Sequence, residues 1–272
     1  MKTTQEHMFQ TAYNQSGRVI LLDGTSCAGK TSIGKELNDA FQIPFHYVAI
    51  DDFIVDLFEY HKKSPLPADD LIEQCNSRIT YMYEHIEKLA SRGQSILCDT
   101  TLICLEDVKS VNKWFTILRG VNGFVVLVYC PFHILVQRIK NRNKRAREQK
   151  KLYETRVVHI VLQQFMTMFK RHEFSDEPML DVLSRRQVEE AFDLLKQELR
   201  DDQDSTLYAM LKSDMLQHFG LVKNEVVFIA PKLNYDCIVN TSKHTIHSGA
   251  RIIQKRFLSM QGNLRNLHAL KS

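Results

Sequence analysis

What this chain lacks narrows it first. No apolar stretch approaches the roughly 18 residues that a membrane-spanning helix needs; the longest, Phe124 to Cys130, is far shorter. Met1 to Gln15 has no apolar core, so no secretory leader is expected there and a cytoplasmic protein is the expectation. The six cysteines (Cys27, Cys75, Cys98, Cys104, Cys130 and Cys237) include no C-x-x-C pair. That spacing argues against zinc and for reduced thiols. Neither sign of charge dominates: a formal net charge of +4 does not by itself point to nucleic acid. No repeat and no low-complexity segment is visible. With 44% hydrophobic and 25% charged residues, the composition excludes disorder over most of the chain. At 272 residues it suits one large domain, or one domain with an insertion.

What is present alternates. Arg18-Val19-Ile20-Leu21-Leu22-Asp23 is a short apolar run between Gly17 and Gly24, and reads as a buried strand. Thr31 to Phe41 has helical spacing, with Ile33, Leu37 and Phe41 on one face. Further strands are expected at Phe45–Ile50, Ser95–Asp99, Phe124–Cys130 and Tyr235–Val239, and helices at Asp52–Tyr60, Asp69–Arg92, after Pro131 and at Thr245–Ser259. Continuous apolar strands alternating with helices predict an α/β fold, a parallel sheet covered on both faces. Residues 1–17 read as an arm and 18–272 as the domain. The stretch from Phe174 to Lys223 departs from the alternation. It reads as helices only, an insertion with Val188, Phe192 and Leu195 on one stripe and Leu207, Leu211 and Met215 on another, separated by a polar break at Arg200–Ser205.

The strongest signal is Gly24-Thr25-Ser26-Cys27-Ala28-Gly29-Lys30-Thr31, a complete G-x-x-x-x-G-K-[ST], with Ser32 after it. The glycines let the backbone turn successive N–H groups towards phosphate oxygens, and the following helix adds its positive end. Lys30 offers a point charge to the β- and γ-phosphates and Thr31 a hydroxyl to Mg²⁺. No N-K-x-D motif for guanine is present, so ATP is the expected nucleotide.

In an open parallel sheet, ligands bind beyond the carboxyl ends of the strands. Two expected strands end in carboxylates, at Asp51-Asp52 and at Asp99. One could accept the proton of an attacking hydroxyl and another could hold the metal. Asp52 is equally a candidate helix cap. The run from Arg138 to Arg147, with Lys150 and Lys151 after it, places Arg138, Arg142 and Arg145 on one helical face, as a lid over phosphates requires. A nucleic-acid patch is the weaker reading, because no aromatic residue lies between Arg138 and Leu152. A solvated helix face is the bland one. His159 is more readily a packed histidine than a catalytic one.

These residues together resemble the chloramphenicol phosphotransferase-like proteins, P-loop kinases akin to the zeta toxins and shikimate kinase. The loop is similar to the family's G-[GST]-S-S-A-G-K-[ST], and Tyr47–Asp51 followed by Phe53 to its G-x-D-x-[FL] strand end. Gly93–Asp99 resembles the strand bringing a second Asp; Arg138, Arg142 and Arg145 fall on its R-x-x-x-R-x-x-R lid. Val157-Val158-His159 and Tyr235-Asp236 with Val239–Ser242 resemble its V-H and Y-D-x-x-V-D-T segments. The resemblance implies a three-layer P-loop kinase fold, ATP and Mg²⁺ as cofactors, Asp51 as general base and Lys30 with the three arginines at the transferring phosphoryl group. The loop from Gly24 to Ser32 would bind nucleotide, and Thr31 with Asp99 the metal. Three departures stand out: residues 160–234 where the family has only a few, Asn240 in place of its acidic residue, and Ile139 where Glu is frequent. Phosphoryl transfer to a hydroxyl of a small molecule is therefore the expectation, without drug inactivation. The alternatives are a toxin- or effector-like kinase acting on a nucleotide sugar, nucleic acid or protein, and a nucleotide-dependent switch whose insertion holds a protein partner.

Overall fold

The computed structural model describes residues 17–41, 45–64, 66–101, 114–116, 118, 120–149, 158, 162, 179–199, 202–221, 225–229 and 235–269. Most of the expected N-terminal arm, Cys104, Lys150, Lys151, His159 and His172 lie outside the described residues. In chain order the strands are β1 (Val19–Asp23), β2 (His46–Ala49), β3 (Ile96–Asp99), β4 (Gly123–Tyr129), β5 (Met179–Ser184), β6 (Glu225–Ile229) and β7 (Cys237–Asn240). The main helices are α1 (Lys30–Ala40), α2 (Asp51–Lys63), α3 (Ala68–Ser91), α4 (Phe132–Glu148), α5 (Arg185–Lys196), α6 (Asp202–Leu221) and α7 (Ile246–Ala269). Among the described residues, no helix is long and apolar enough to cross a membrane.

Five strands form one parallel sheet in the order β2-β3-β1-β4-β7. The central strand β1 is buried along its whole length, which is why it reads as an unbroken apolar run. Its side chains alternate between two layers. Ile20 and Leu22 pack with Ile33 and Leu37 of α1 and Ile253 and Phe257 of α7. Val19 and Leu21 pack with Met82, Tyr83 and Ile86 of α3. The expected α/β sheet covered on both faces is therefore the architecture found. Its P-loop, parallel sheet and helical layers are those of the P-loop NTPase fold.

The stretch expected to be helical throughout is not. β5 lies inside it and pairs antiparallel with β6 in a separate two-stranded sheet. The apolar residues of Met179–Ser184 suit a strand as well as a helix, and a partner more than forty positions away in sequence decides between them. Ser184 then starts α5 with a capping box, accepting from the backbone N–H of Gln187 while the Gln187 side chain accepts from its own N–H. The two apolar stripes lie where expected: Val188, Phe192 and Leu195 are buried on α5, and Leu211 and Met215 on α6. α6 begins at Asp202, inside the expected polar break.

Phe257 is fully buried, and its ring meets Phe41, Phe45 and Phe124 at centroid distances of 5.8, 6.2 and 5.7 Å. Truncation leaves a void that three rigid rings cannot fill. Phe257→Ala is expected to lower stability by about 3–5 kcal/mol. Urea unfolding checks this, with the loss appearing in the midpoint and the slope unchanged.

Candidate active site

The sheet register assembles the site. Leu22 of β1 pairs with Asp99 of β3, and Asp99 pairs with Ala49 of β2. The carboxyl ends of three strands thus reach one level, with the phosphate loop leaving β1 there and Asp51 two residues beyond Ala49. The loop leaves the strand through Gly24, whose φ of 147° is open to glycine and strained for other residues. A Cβ on Gly24 would lie 2.2 Å from the Val128 carbonyl oxygen. Cys27 takes a φ of 63° and Gly29 one of 105° at the start of α1. The left-handed turn at Cys27 costs roughly 1 kcal/mol for a residue with a side chain.

Beneath the loop lies Asp23, which is fully buried. One carboxylate oxygen accepts from the Gly24 N–H at 2.8 Å and the other from the Tyr235 hydroxyl at 2.6 Å. The neighbouring Asp236 accepts from the Val125 N–H at 2.7 Å. The Y-D pair therefore pins β7 to the base of the loop and to β4. Asn240, the departure from the family's acidic residue, accepts from the backbone N–H and the hydroxyl of Ser242 at 2.9 and 2.7 Å. It shapes the turn that carries Thr241.

Lys30 and Asp99 are buried side by side, with Nζ 3.7 Å from a carboxylate oxygen. Nζ also donates to the Thr25 carbonyl at 3.1 Å. The Thr31 hydroxyl donates to Asp99 Oδ2 at 2.6 Å, and Tyr47 Oη donates to the same oxygen at 3.0 Å. Burial, then the Asp99 charge, pushes the Tyr47 phenol far up, so it stays a donor. Thr31 and Asp99 present oxygen donors only, a set that suits a hard cation such as Mg²⁺. Asp51 remains open to solvent on one side, yet loss of water around its carboxyl raises its pKa. The Asp99 charge raises it further, while Lys30 and Arg142 pull it down. Asp52 points elsewhere: its carboxylate accepts from the Ala49 N–H at 3.3 Å.

The cleft over the loop, about 600 Å³, is lined by Cys27, Gly29 to Ile33, Arg138, Arg142, Arg145 and the 241–246 turn. All three arginines of the expected lid reach it, but they do not do the same thing. The Arg138 guanidinium donates to the Ala28 carbonyl, the Thr241 hydroxyl and the Thr241 carbonyl, each at 2.9 Å. Swinging it to a phosphate would take a donor from the Thr241 carbonyl, at about 1–3 kcal/mol for a buried group left without its partner, while the Ala28 carbonyl would keep the Thr241 hydroxyl at 2.8 Å. Arg142 is exposed beside the Cys27 sulfur at 3.8 Å, and Arg145 is likewise exposed in the cleft. Ile139, where the family often has Glu, is buried in the core.

The family model of the chloramphenicol phosphotransferase-like proteins matches residues 17–167, more than half the chain. The chain belongs to that family. The matched span holds the loop, Asp51, Asp99 and the arginine helix, and it supports a P-loop phosphotransferase. No curated protein matches the sequence significantly. Solved structures similar to this family member include a gluconokinase from Sinorhizobium meliloti, at 12% identity and a TM-score of 0.44 over 93% of this chain and 98% of that one. Another is a shikimate kinase from Acinetobacter baumannii, at 15% and 0.43 over 90% and 95%. A third is the APS kinase of Mycobacterium tuberculosis, at 12% and 0.43 over 89% and 97%.

Asp23 and His244, which lines the cleft, were not singled out from the sequence, and Tyr47 and Thr241 stood only within segments resembling the family's, with no role given to either. Tyr47 carried one usable signal, an aromatic in a strand-like run four residues before Asp51. Gly24→Ala is expected to abolish nucleotide binding while leaving the fold intact, because the added methyl meets a backbone carbonyl that cannot yield. Isothermal titration with ATP, beside circular dichroism, checks both halves.

Proposed function

We propose that this family member transfers the γ-phosphate of ATP to a hydroxyl group of a small molecule. The observation that carries the reading is the convergence of Lys30, Thr31, Asp99 and Asp51 at one end of the sheet, where the phosphate loop leaves β1. The loop amides and Lys30 hold the β- and γ-phosphates. Thr31 and Asp99 would hold Mg²⁺, which when bound would neutralise charge on the phosphate oxygens. Asp51 accepts the proton of the acceptor hydroxyl as its oxygen bonds to the γ-phosphorus and the bond to the ADP oxygen breaks. Arg142 and Arg145 face the charge on the transferring group, and Arg138 keeps the loop in shape for them. Loss of water around Asp51, and then the Asp99 charge, raise its proton affinity, which makes the carboxylate a better base than an isolated one.

Label from γ-³²P ATP, followed into the small molecules of a cell extract, tests the reading. Asp51→Asn is expected to bind ATP as the wild type does and to lose transfer by about 10²–10⁴-fold. Normal turnover in that variant would refute the base assignment. Label in protein or nucleic acid would refute the small-molecule acceptor. The pH profile has a defined sign. Only the ionised carboxylate accepts a proton, and the Asp51 pKa is raised above its ordinary 3.8. Transfer should therefore rise with pH through a midpoint above 3.8, as read from kcat/KM against pH.

A further inference from the structure

The insertion is bound to the arginine helix on the side opposite the cleft. At 3.6 residues per turn, Arg138, Arg142 and Arg145 lie on one face of α4, while Lys140, Asn143 and Arg147 lie on the other. The first face meets the phosphate loop and the cleft. The second meets the end of α5. Glu198, buried just beyond that helix, accepts from both guanidinium nitrogens of Arg147, each at 3.2 Å, and from the Asn143 side chain at 2.8 Å. Asn143 is itself fully buried. Lys140 donates to Gln197 at 3.1 Å. Apolar packing supports the same contact: the rings of Phe132 on α4 and Phe192 on α5 lie 5.3 Å apart, and Phe192 meets Tyr208 of α6 at 5.4 Å.

A fork-to-fork pair with one partner buried fixes both position and rotation about the helix axis, which apolar contacts alone leave loose. Rotation is the variable that matters here. Turning α4 by one residue, about 100°, would carry Arg142 and Arg145 out of the cleft. We infer that Glu198 is a positioning residue: through Arg147 and Asn143 the insertion holds α4 in the rotation that aims Arg142 and Arg145 at the terminal phosphate of the nucleotide. This rests on the ATP reading above and gives the insertion a task within the same site. Within the insertion, α5 and the Gln197–Glu198 turn after it are then a brace for the arginine helix. A partner that moved α5 would change nucleotide affinity without touching the nucleotide.

The test measures Kd for ATP and for ADP, each with Mg²⁺, in the full-length wild type, Glu198→Gln and Arg147→Met. Amide hydrogen exchange across α4 is followed in parallel. In both variants ATP affinity is expected to fall about tenfold, within the range seen for residues that couple to a ligand they do not touch. ADP affinity should move less than twofold, since ADP lacks the phosphate those arginines face. Exchange should quicken in α4 and stay unchanged in β1 and α1, and the double variant should be no worse than either single one. Equal losses for ATP and ADP would overturn the inference, as would unchanged ATP affinity in folded variants. If Glu198→Gln does not fold, Arg147→Met removes the more exposed partner and decides alone. Wild type that binds no ATP would instead overturn the nucleotide reading, and quickened exchange confined to α4 would still report the brace.

Discussion

A buried carboxylate stands where the central strand becomes the phosphate loop, and much of the site hangs from it. Asp23 is out of reach of water, so its two oxygens must be satisfied by the protein. The partners found, the Gly24 N–H and the Tyr235 hydroxyl, belong to the loop and to the approach to β7. Satisfying one buried charge therefore joins two segments far apart in sequence. The direction in which the chain leaves β1 follows, since Gly24 must turn its N–H back towards Asp23 while passing against the Val128 carbonyl. The same tether places β7, and β7 delivers Thr241 to the outer wall of the loop. There Thr241 and Arg138 both bond to the Ala28 carbonyl. The loop is held from beneath by the Asp23 carboxylate and from outside by Thr241 and the Arg138 guanidinium.

The arginines of α4 show why spacing and role differ. A one-face pattern at i, i+4 and i+7 brings all three side chains to the cleft, as helical geometry requires. What each then does depends on which protein oxygens lie within reach. Arg138 meets two carbonyls and a hydroxyl and is used up as a strut. Arg142, one turn further on, meets the loop at the weakly accepting Cys27 sulfur, and both it and Arg145, two turns on, stay exposed. A lid of three equal guanidiniums becomes a strut and a pair.

Legibility in the sequence followed contiguity. The phosphate loop is a local pattern whose chemistry is written in eight adjacent residues, and the strands of the sheet are unbroken apolar runs because both faces are covered. Asp51 and Asp99 could be placed at strand ends, and parallel pairing brought the ends together. β5 was missed because Met179–Ser184 has no periodicity of its own; β6 makes it a strand. A nearer clue was there, since Ser184-Arg185-Arg186-Gln187 is a capping box and a helix that starts at Ser184 cannot include the residues before it. Glu198 gave no sign at all. In sequence it is one acid among several near a helix end, and only the packing of α5 on α4 buries it and gives it Arg147.

The insertion, then, is best understood by the helix it grips. An extra element placed over the region beyond Asp51 would need contacts with α2 or α3, the helices that follow it in the chain. The polar contacts of Gln197 and Glu198 run instead to α4, through a carboxylate that costs energy to bury and is stabilised only in one geometry. Apolar residues could have supplied adhesion with less demand on geometry. A carboxylate held by a fork supplies direction, and direction is what a helix carrying phosphate-facing arginines requires. On that argument the region in which this chain departs most from its family acts on the part of the site that the family shares.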